Sequence, residues 1–350
     1  MDKIRAGLVG ITGYTGMELA RLLATHPSMK LTMGCSRSEA GRRLGEFYPF
    51  LEGLPGADIV ISVYSPKAVA ENCDIAFLAV PHGKAMVMAR ELLEEGVRVV
   101  DLSADFRIHD ADVYEAWYKV AHTEKHLLPE AVFGLPEFYA DKVAKARLVA
   151  NPGCYPTSII LGLAPALRNG LVSSEDIVID SKSGTSGAGR KAVTTSLYCE
   201  VTDSFKAYGL GKHRHTPEIE QELSLLAGKP VTVSFNPHLV PMNRGILSTI
   251  YTKLATDKNL DEIWQVYKDF YKDCPFVRVL AKGSLPETRF VRGSLFCDMG
   301  LVLDPRTKRL IIVSAIDNIC RGASGQALAN ANIMCGLPMA EGLGQAPLLP

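Results

Sequence analysis

The chain has 350 residues, 47% hydrophobic and 22% charged, with 38 Lys+Arg matched by 38 Asp+Glu. That length exceeds what one hydrophobic core usually organises and predicts two domains. Zero net charge gives no sign of a nucleic-acid groove or polybasic membrane patch, and no apolar run reaches the roughly 18 residues of a membrane span. Met1–Arg5 carries charge and no signal-peptide pattern, so the expectation is a cytoplasmic enzyme with a small-molecule substrate, engaging neither nucleic acid nor membrane.

Over the first 150 residues, strand and helix signals alternate. Lys3–Val9 reads as a strand, Gly16–His26 as a helix and Lys30–Gly34 as a second strand. Asp74–Val80 is a continuous apolar run, the pattern of a parallel strand buried on both faces. Gly83–Glu95 reads as a helix, and Val97–Leu102 and Arg147–Ala150 as strands. This alternation predicts an α/β, doubly wound, Rossmann-type dinucleotide-binding domain. Beyond Asn151 the pattern changes to a helix over Ser158–Arg168 and a strand over Asp176–Ser181. Strands at Val231–Phe235, Ile246–Lys253, Ser294–Leu303 and Leu310–Ala315 follow, with a helix at Leu260–Lys272. That is the pattern of an α+β domain with a mostly antiparallel sheet. A small-residue helix over Gly322–Cys335 closes the series and is suited to packing closely on the first domain.

Gly7-Leu-Val-Gly10-Ile-Thr12-Gly13-Tyr14-Thr15-Gly16 lies between a strand and a helix. Glycines there admit a pyrophosphate to the backbone, and the helix N-terminus offers N–H groups to it. Gly10, Thr12, Gly13, Tyr14, Thr15 and Gly16 are therefore candidate cofactor contacts; the alternative is a ligand-free turn. NAD enzymes place an acid after the second strand for the ribose hydroxyls. Here the chain has Ser36-Arg37-Ser38, which suits the 2′-phosphate of NADP(H).

Asn151-Pro-Gly-Cys154-Tyr-Pro-Thr157 places a cysteine on a strand-to-helix turn. The positive end of the helix lowers a thiol pKa and exposes the sulfur, so Cys154 is the candidate nucleophile. The other seven cysteines (35, 73, 199, 274, 297, 320 and 335) form no C-x-x-C pair and read as small core residues, not as a metal site. In Gly211-Lys-His213-Arg-His215-Thr-Pro-Glu-Ile219 a helix begins at Thr216-Pro217 with the two histidines just ahead of it. His215 is assigned as acid/base and His213 as a substrate contact; the competing reading is a basic surface tetrad. Asp101-Leu-Ser103-Ala-Asp105-Phe-Arg107 ends a parallel strand, the edge where ligands bind in such sheets. Arg107, with Ser103, is the candidate substrate contact, against a loop fixed by an Asp105–Arg107 pair. Ser186 and Gly187, in the run Ser181–Arg190, suit an anion or nicotinamide-amide site, against a flexible loop.

These motifs, with Asp317-Asn318-Ile-Cys-Arg-Gly-Ala-Ser-Gly-Gln near the end, resemble the N-acetyl-gamma-glutamyl-phosphate reductase family in order over residues 4–338. The resemblance implies a Rossmann domain from residues 1–153 and 318–350 and a central α+β catalytic and dimerisation domain from 154–317. It implies Cys154 as acyl-accepting nucleophile, the His213/His215 pair as sharing the roles of base and substrate contact, Arg107 near substrate and Asn318 near nicotinamide. It also implies NADPH-dependent reduction of N-acetyl-gamma-glutamyl phosphate to the semialdehyde in arginine biosynthesis, no metal, and a homodimer or homotetramer. The lysine-pathway reductase of N-acetyl-aminoadipyl phosphate, or one with a carrier-linked substrate, is the near alternative. A non-enzymatic NADP sensor is the different class. A short-chain dehydrogenase would need Tyr208-x-x-x-Lys212 on a helix, which two intervening glycines oppose.

Overall fold

The computed structural model describes residues 2–349, and the chain divides into two units. The first comprises residues up to Pro152 with Ala323–Gln345; the second comprises Gly153–Gly322 with the tail from Ala346.

In the first unit six strands form one parallel sheet in the order β2-β1-β3-β4-β6-β5. They are β1 (Ile4–Val9), β2 (Met29–Cys35), β3 (Ile75–Leu78), β4 (Arg98–Asp101), β5 (Val132–Phe133) and β6 (Leu148–Ala150). Strand β3 is buried at all four positions, as the unbroken apolar run requires. Helices α1 (Tyr14–Ala24), α2 (Leu44–Phe47), α3 (Pro66–Asn72), α4 (Ala85–Glu94), α5 (Ala111–Tyr118) and α6 (Pro136–Val143) connect the strands. The doubly wound architecture is the expected one.

In the second unit seven strands make a mixed sheet, β11-β12-β13-β10-β7-β9-β8, in which four neighbouring pairs are antiparallel and two are parallel. The strands are β7 (Ile177–Ser183), β8 (Lys206–Ala207), β9 (Val233–Leu239), β10 (Ile246–Lys253), β11 (Val277–Val279), β12 (Cys297–Asp304) and β13 (Arg309–Ile316). The helices are α7 (Cys154–Arg168), α8 (Tyr198–Val201), α9 (Thr216–Ala227) and α10 (Leu260–Phe270). Strand β7 alternates buried and half-buried positions, so one sheet face carries the core.

Helix α7 is buried at every position from Tyr155 to Leu167. Pro165 lies inside it and cannot donate to Leu161, which would leave a buried carbonyl short of a partner. Tyr271 beyond α10 donates its hydroxyl to the Leu161 carbonyl, and Tyr267 donates to the Gly162 carbonyl at 2.8 Å. Each such bond contributes about 1 kcal/mol net and offsets part of the ~3 kcal/mol a mid-helix proline costs. A second tie runs through hydroxyls: Ser158 and Ser181 each meet Ser248, at 2.8 and 2.7 Å. The last helix, α11 (Gly325–Met334), belongs to the first unit and packs on α1, α6 and β4, as its small residues suggest; a π-helical turn, Cys320–Ser324, precedes it.

Candidate active site

Cys154 is the first residue of α7, with Gly153 as N-cap. The sequence reading started this helix at Ser158; the structure moves the cysteine from the preceding turn onto the helix end itself. Helix N–H groups point toward the N-terminus, so a thiolate there faces their positive ends. The carboxylate of Glu218, fully buried on α9, accepts the Gly153 N–H at 2.7 Å and fixes the turn. Thr157 donates from both its N–H and its hydroxyl to the Gly153 carbonyl, at 3.0 and 2.9 Å. Gly322 packs on the other side; a Cβ at that position would lie 2.6 Å from the Cβ of Cys154. Cys154 is half-buried, Cys35, Cys73, Cys297 and Cys320 are buried, and Cys274 and Cys335 are half-buried. Cys199 is exposed on the short helix α8, contrary to the core reading.

His215 is the N-cap of α9, with Pro217 in the first turn. The ring of His213 lies 4.9 Å from that of His215 and meets Tyr155, Tyr208 and Phe235 edge-on at 5.6, 5.5 and 5.3 Å. Burial pushes His213 down to about 4, with the Arg214 cation adding to the effect. The Tyr155 and Tyr208 hydroxyls meet at 2.9 Å. Burial raises both phenol pKa values, Tyr208 to about 12, and negative charge on Cys154 raises both further. The phenols therefore stand close enough to the sulfur to sense its ionisation. The stretch Tyr208–Lys212 is not helical; Gly209 and Gly211 have φ of 60° and 66°. A Tyr-x-x-x-Lys catalytic face is thereby excluded.

Ser186, Gly187 and Asn318 come together in the second unit. Asn318 Nδ2 donates to Ser186 Oγ at 3.0 Å, and its Oδ1 accepts the Gly245 N–H at 2.7 Å. A Cβ on Gly187 would lie 3.5 Å from Asn318 Nδ2.

In the first unit the glycine turn joins β1 to α1. Gly10 has φ of 90°, and a Cβ there would lie 2.2 Å from the Ala79 carbonyl oxygen. Gly13 caps α1 without a side-chain hydrogen bond, and no acid occupies the first turn. The N–H groups of Tyr14, Thr15 and Gly16 thus open onto a helix end suited to a pyrophosphate, so these residues fit a dinucleotide. At the end of β2, Ser36 Oγ lies 3.4 Å from Thr12 Oγ1 and 3.3 Å from Ser38 Oγ, while Arg37 is exposed. The nearest acid, Glu39, is held by Arg42 at 2.7 Å.

After β4, Ser103 donates to Asp101 at 2.8 Å and accepts the Asp105 N–H at 3.1 Å. Arg107, 7% exposed, donates Nε to the Asn151 carbonyl at 2.7 Å and Nη2 to the Leu102 carbonyl at 2.8 Å. Asp105 accepts from the Gly83 and Ala85 N–H groups and the Tyr114 hydroxyl. Burial and the Asp105 carboxylate raise the Asp101 carboxyl well above the usual range. Among the described residues, no His/Cys/Asp/Glu group could hold a metal ion, and no helix is long and apolar enough to cross a membrane.

Sequence comparison matches residues 5–146 to the semialdehyde dehydrogenase NAD-binding domain and residues 154–318 to the semialdehyde dehydrogenase dimerisation domain. Among solved structures, aspartate semialdehyde dehydrogenase II of Vibrio cholerae, complexed with ASA, superposes with TM-score 0.72 at 15% identity. It covers 96% of this chain and 99% of its own. Aspartate semialdehyde dehydrogenase of Candida albicans, solved with NADP, gives TM-score 0.67 at 16% identity, over 95% and 99%. N-acetyl-gamma-glutamyl-phosphate reductases are similar across the whole length. That of Geobacter sp. (strain M21) is 52% identical and that of Geotalea daltonii 54%, each over 99% of this chain and 100% of the relative. The chain belongs to the N-acetyl-gamma-glutamyl-phosphate reductase family.

This reductase-family member is therefore an enzyme, an oxidoreductase built on the semialdehyde dehydrogenase plan. Four residues around its candidate site escaped the motif reading. Glu218 and Tyr155 sit inside quoted motifs, yet nothing in one sequence says which motif residues turn inward. Asp317 is fully buried and accepts from Arg244 Nη2 (2.9 Å) and from the N–H groups of Gly293 (2.6 Å), Ile319 and Cys320 (both 2.8 Å). It anchors the segment carrying Asn318. Gly322 acts through close approach alone, which has no sequence signature.

Proposed function

We propose that this chain reduces N-acetyl-gamma-glutamyl phosphate to the semialdehyde and phosphate with NADPH, a step of arginine biosynthesis, through a thioester on Cys154. Family membership carries the reaction; the position of Cys154 at the first residue of α7 carries the mechanism. The sulfur attacks the acyl carbon, the C–S bond forms, and the C–O bond to phosphate breaks with its electron pair leaving on phosphate. The acyl group is then bound through a sulfur that can leave again, which an oxygen ester would do less readily. NADPH, when bound, supplies the hydride that takes the acyl carbon to the aldehyde level. His215, at the start of α9, takes the thiol proton and returns it. Arg107 and Ser103, at the carboxyl edge of the parallel sheet, take the substrate side. Gly10, Thr12, Gly13, Tyr14, Thr15 and Gly16 hold pyrophosphate, Ser36 and Arg37 the 2′-phosphate, and Ser186, Gly187 and Asn318 the nicotinamide end. In function, residues 1–153 and 318–350 serve the cofactor, and 154–317 serve catalysis and assembly.

The assembly is a homodimer or homotetramer, and the enzyme works in the cytoplasm. Val178, Tyr251, Ile311 and Val302 lie in register across β7, β10, β13 and β12 and are half-buried or exposed. An apolar row on a sheet face is suited to a second copy.

The test is Cys154→Ala with semialdehyde, phosphate and NADP⁺. Turnover is expected to vanish while NADPH still binds, and mass spectrometry is expected to find an acyl adduct on the wild type alone. Near-normal turnover in the variant removes the thioester.

A further inference from the structure

We propose that His213 is held with its proton fixed on Nε2 and serves as a hydrogen-bond donor to the oxygen of the acyl carbon, not as a base. The inference rests on the Cys154 thioester reading and goes one residue further.

The observation is a backbone contact. The N–H of His215 points at Nδ1 of His213, 3.1 Å away. A backbone N–H can only donate, so Nδ1 must present its lone pair. A neutral imidazole carries one proton, which therefore sits on Nε2. Such a ring takes a second proton only by giving up that bond. Nε2 is already occupied, and protonating Nδ1 would set two hydrogens against each other. Both histidines belong to one short segment, so the contact is set by the local chain path and survives as long as α9 keeps its start.

The ring is also held in plane. Tyr155, Tyr208 and Phe235 wall it edge-on, and His215 closes a fourth side. Gly209 lies alongside, where a Cβ would make an ordinary van der Waals contact with the ring Cδ2 at 3.4 Å. The groups facing His213 are two phenols, a phenyl and an imidazole; Arg214 is the neighbouring charge, and it disfavours a cationic ring. Among the described residues no group accepts from Nε2. The cage has placed a donor and left its hydrogen for a ligand. Tyr155 follows Cys154 directly, and both phenols sense charge on its sulfur, so the donor belongs to the neighbourhood of the nucleophile.

The chemistry selects the acceptor. In thioester formation the acyl oxygen gains negative charge as sulfur adds, and loses it when the C–O bond to phosphate breaks. In reduction it gains charge again as the hydride adds, and loses it when the C–S bond breaks and the electron pair returns to sulfur. One oxygen is thus charged twice per cycle, each time only in passing. The phosphate and the α-carboxylate are anions throughout and gain from a cation already in the ground state. A donor that keeps its own proton gains most from charge that exists only in the transition state. The Nε2 proton stays on nitrogen through both halves, leaving proton transfer to His215.

Two variants and one spectrum test this on the full-length enzyme with semialdehyde, phosphate and NADP⁺. His213→Ala should lower kcat about 100- to 1,000-fold, the usual loss for one donor to a developing oxyanion, with KM for each of the three substrates changed less than about threefold. His213→Gln, whose amide N–H reaches the position of Nε2, should recover at least about tenfold of that loss and keep the acid limb of the wild-type pH profile. Long-range proton–nitrogen NMR of the wild type, labelled in histidine, should show Nδ1 bare and Nε2 protonated from pH 5 to 9, and this holds whether or not a variant folds. A His213 that gains a proton in that range, or carries its proton on Nδ1, overturns the proposal. Equal inactivity of Gln and Ala, both folded, with the acid limb lost, also overturns it and makes His213 a base. A large rise in KM at unchanged kcat moves the contact to a permanently charged group. If instead no acyl adduct forms on Cys154 of the wild type, the thioester reading fails, whatever the NMR shows.

Discussion

Gly322 separates the packing account of the nucleophile from one in which Cys154 acts as an independent side chain. A methyl group at residue 322 would sit 2.6 Å from the Cβ and 3.0 Å from the Cα of Cys154, with Ile316 Cδ1 at 3.5 Å. Carbon atoms rest at about 3.5–4.0 Å, so the overlap is roughly 1 Å on Cβ and about half that on Cα, two atoms that move only with the main chain. Cys154 cannot retreat cheaply, because the helix it begins is buried from Tyr155 to Leu167. Two effects compete in Gly322→Ala. Alanine favours helical backbone over glycine by about 1 kcal/mol, which would stabilise an unobstructed site. Overpacking costs about 1–3 kcal/mol and should win, because the obstacle is main chain. The variant should melt several degrees lower and lose about 100-fold in kcat, the usual effect of a 1 Å misplacement, while NADPH affinity stays within twofold. Gly344→Ala, with nothing within 4 Å of the new Cβ, is the silent control. Thermal melts, nucleotide titration and steady-state rates decide it. A Gly322→Ala enzyme as fast and as stable as the wild type would refute the claim that this glycine positions the sulfur.

Three further expectations follow from other parts of the chain. Arg37→Ala should erase most of an NADPH preference of about tenfold in kcat/KM, the value left when a charge-assisted contact of about 1.5–3 kcal/mol is reduced for the exposure of Arg37. An unchanged cofactor ratio would disconnect the end of β2 from the 2′-phosphate. Arg107→Lys should raise KM for the semialdehyde about tenfold and spare NADPH affinity, since an ammonium cannot copy a planar fork. It should also cost about 1–2 kcal/mol of stability, because the Asn151 and Leu102 carbonyls share one donor group where they had two. Lost cofactor affinity in this variant would move Arg107 to the other ligand. The last expectation concerns acid. His213 is lowered from 6.5 to about 4, so between those values the unfolded chain binds a proton there that the folded chain does not. Its contribution is whole above pH 6.5 and is lost as pH falls toward 4. Relative to His213→Gln, the wild type should therefore lose about 1–2 kcal/mol between pH 7 and 5 in urea unfolding, allowing for partial solvent exposure. A constant gap across that range would contradict the buried neutral ring.

The alternation of apolar runs and glycine turns made the first sheet legible, because a parallel strand buried on both faces must be apolar throughout, as Ile75–Leu78 is. The start of α7 was not legible. Pro156 and the Pro152-Gly153 pair look like turn residues and pushed the helix start to Ser158. Yet a proline in the first helical turn forfeits no hydrogen bond, since those N–H groups have no partner inside the helix. That same rule read Thr216-Pro217 correctly. Ser103 and Arg107 were visible as polar residues at a sheet edge. Their bonds to Asp101 and Leu102 depend on the path of the loop, and the Arg107 bond to Asn151 on tertiary approach, neither of which leaves a pattern in the chain. The bond from the His215 amide to His213 is local, but it depends on backbone angles that residue types alone do not specify, and it turns two similar histidines into groups of different kinds.

The proline in α7 constrains the order in which this sequence can change. Pro165 and Tyr271 answer one another: the ring nitrogen offers no hydrogen to the Leu161 carbonyl, and the phenol supplies it from outside the helix. Replacing Tyr271 with phenylalanine first would strand a buried carbonyl. Replacing Pro165 with alanine first would give that carbonyl a helix N–H, and its second lone pair can still accept from the phenol, as the Gly162 carbonyl does from Tyr267. Losing the phenol first leaves a buried carbonyl unmet, whereas losing the proline first leaves every group with a partner, so only the second order is open. The two positions, 106 residues apart along the chain, are therefore coupled in one direction: Tyr271 should be lost only where Pro165 is already gone.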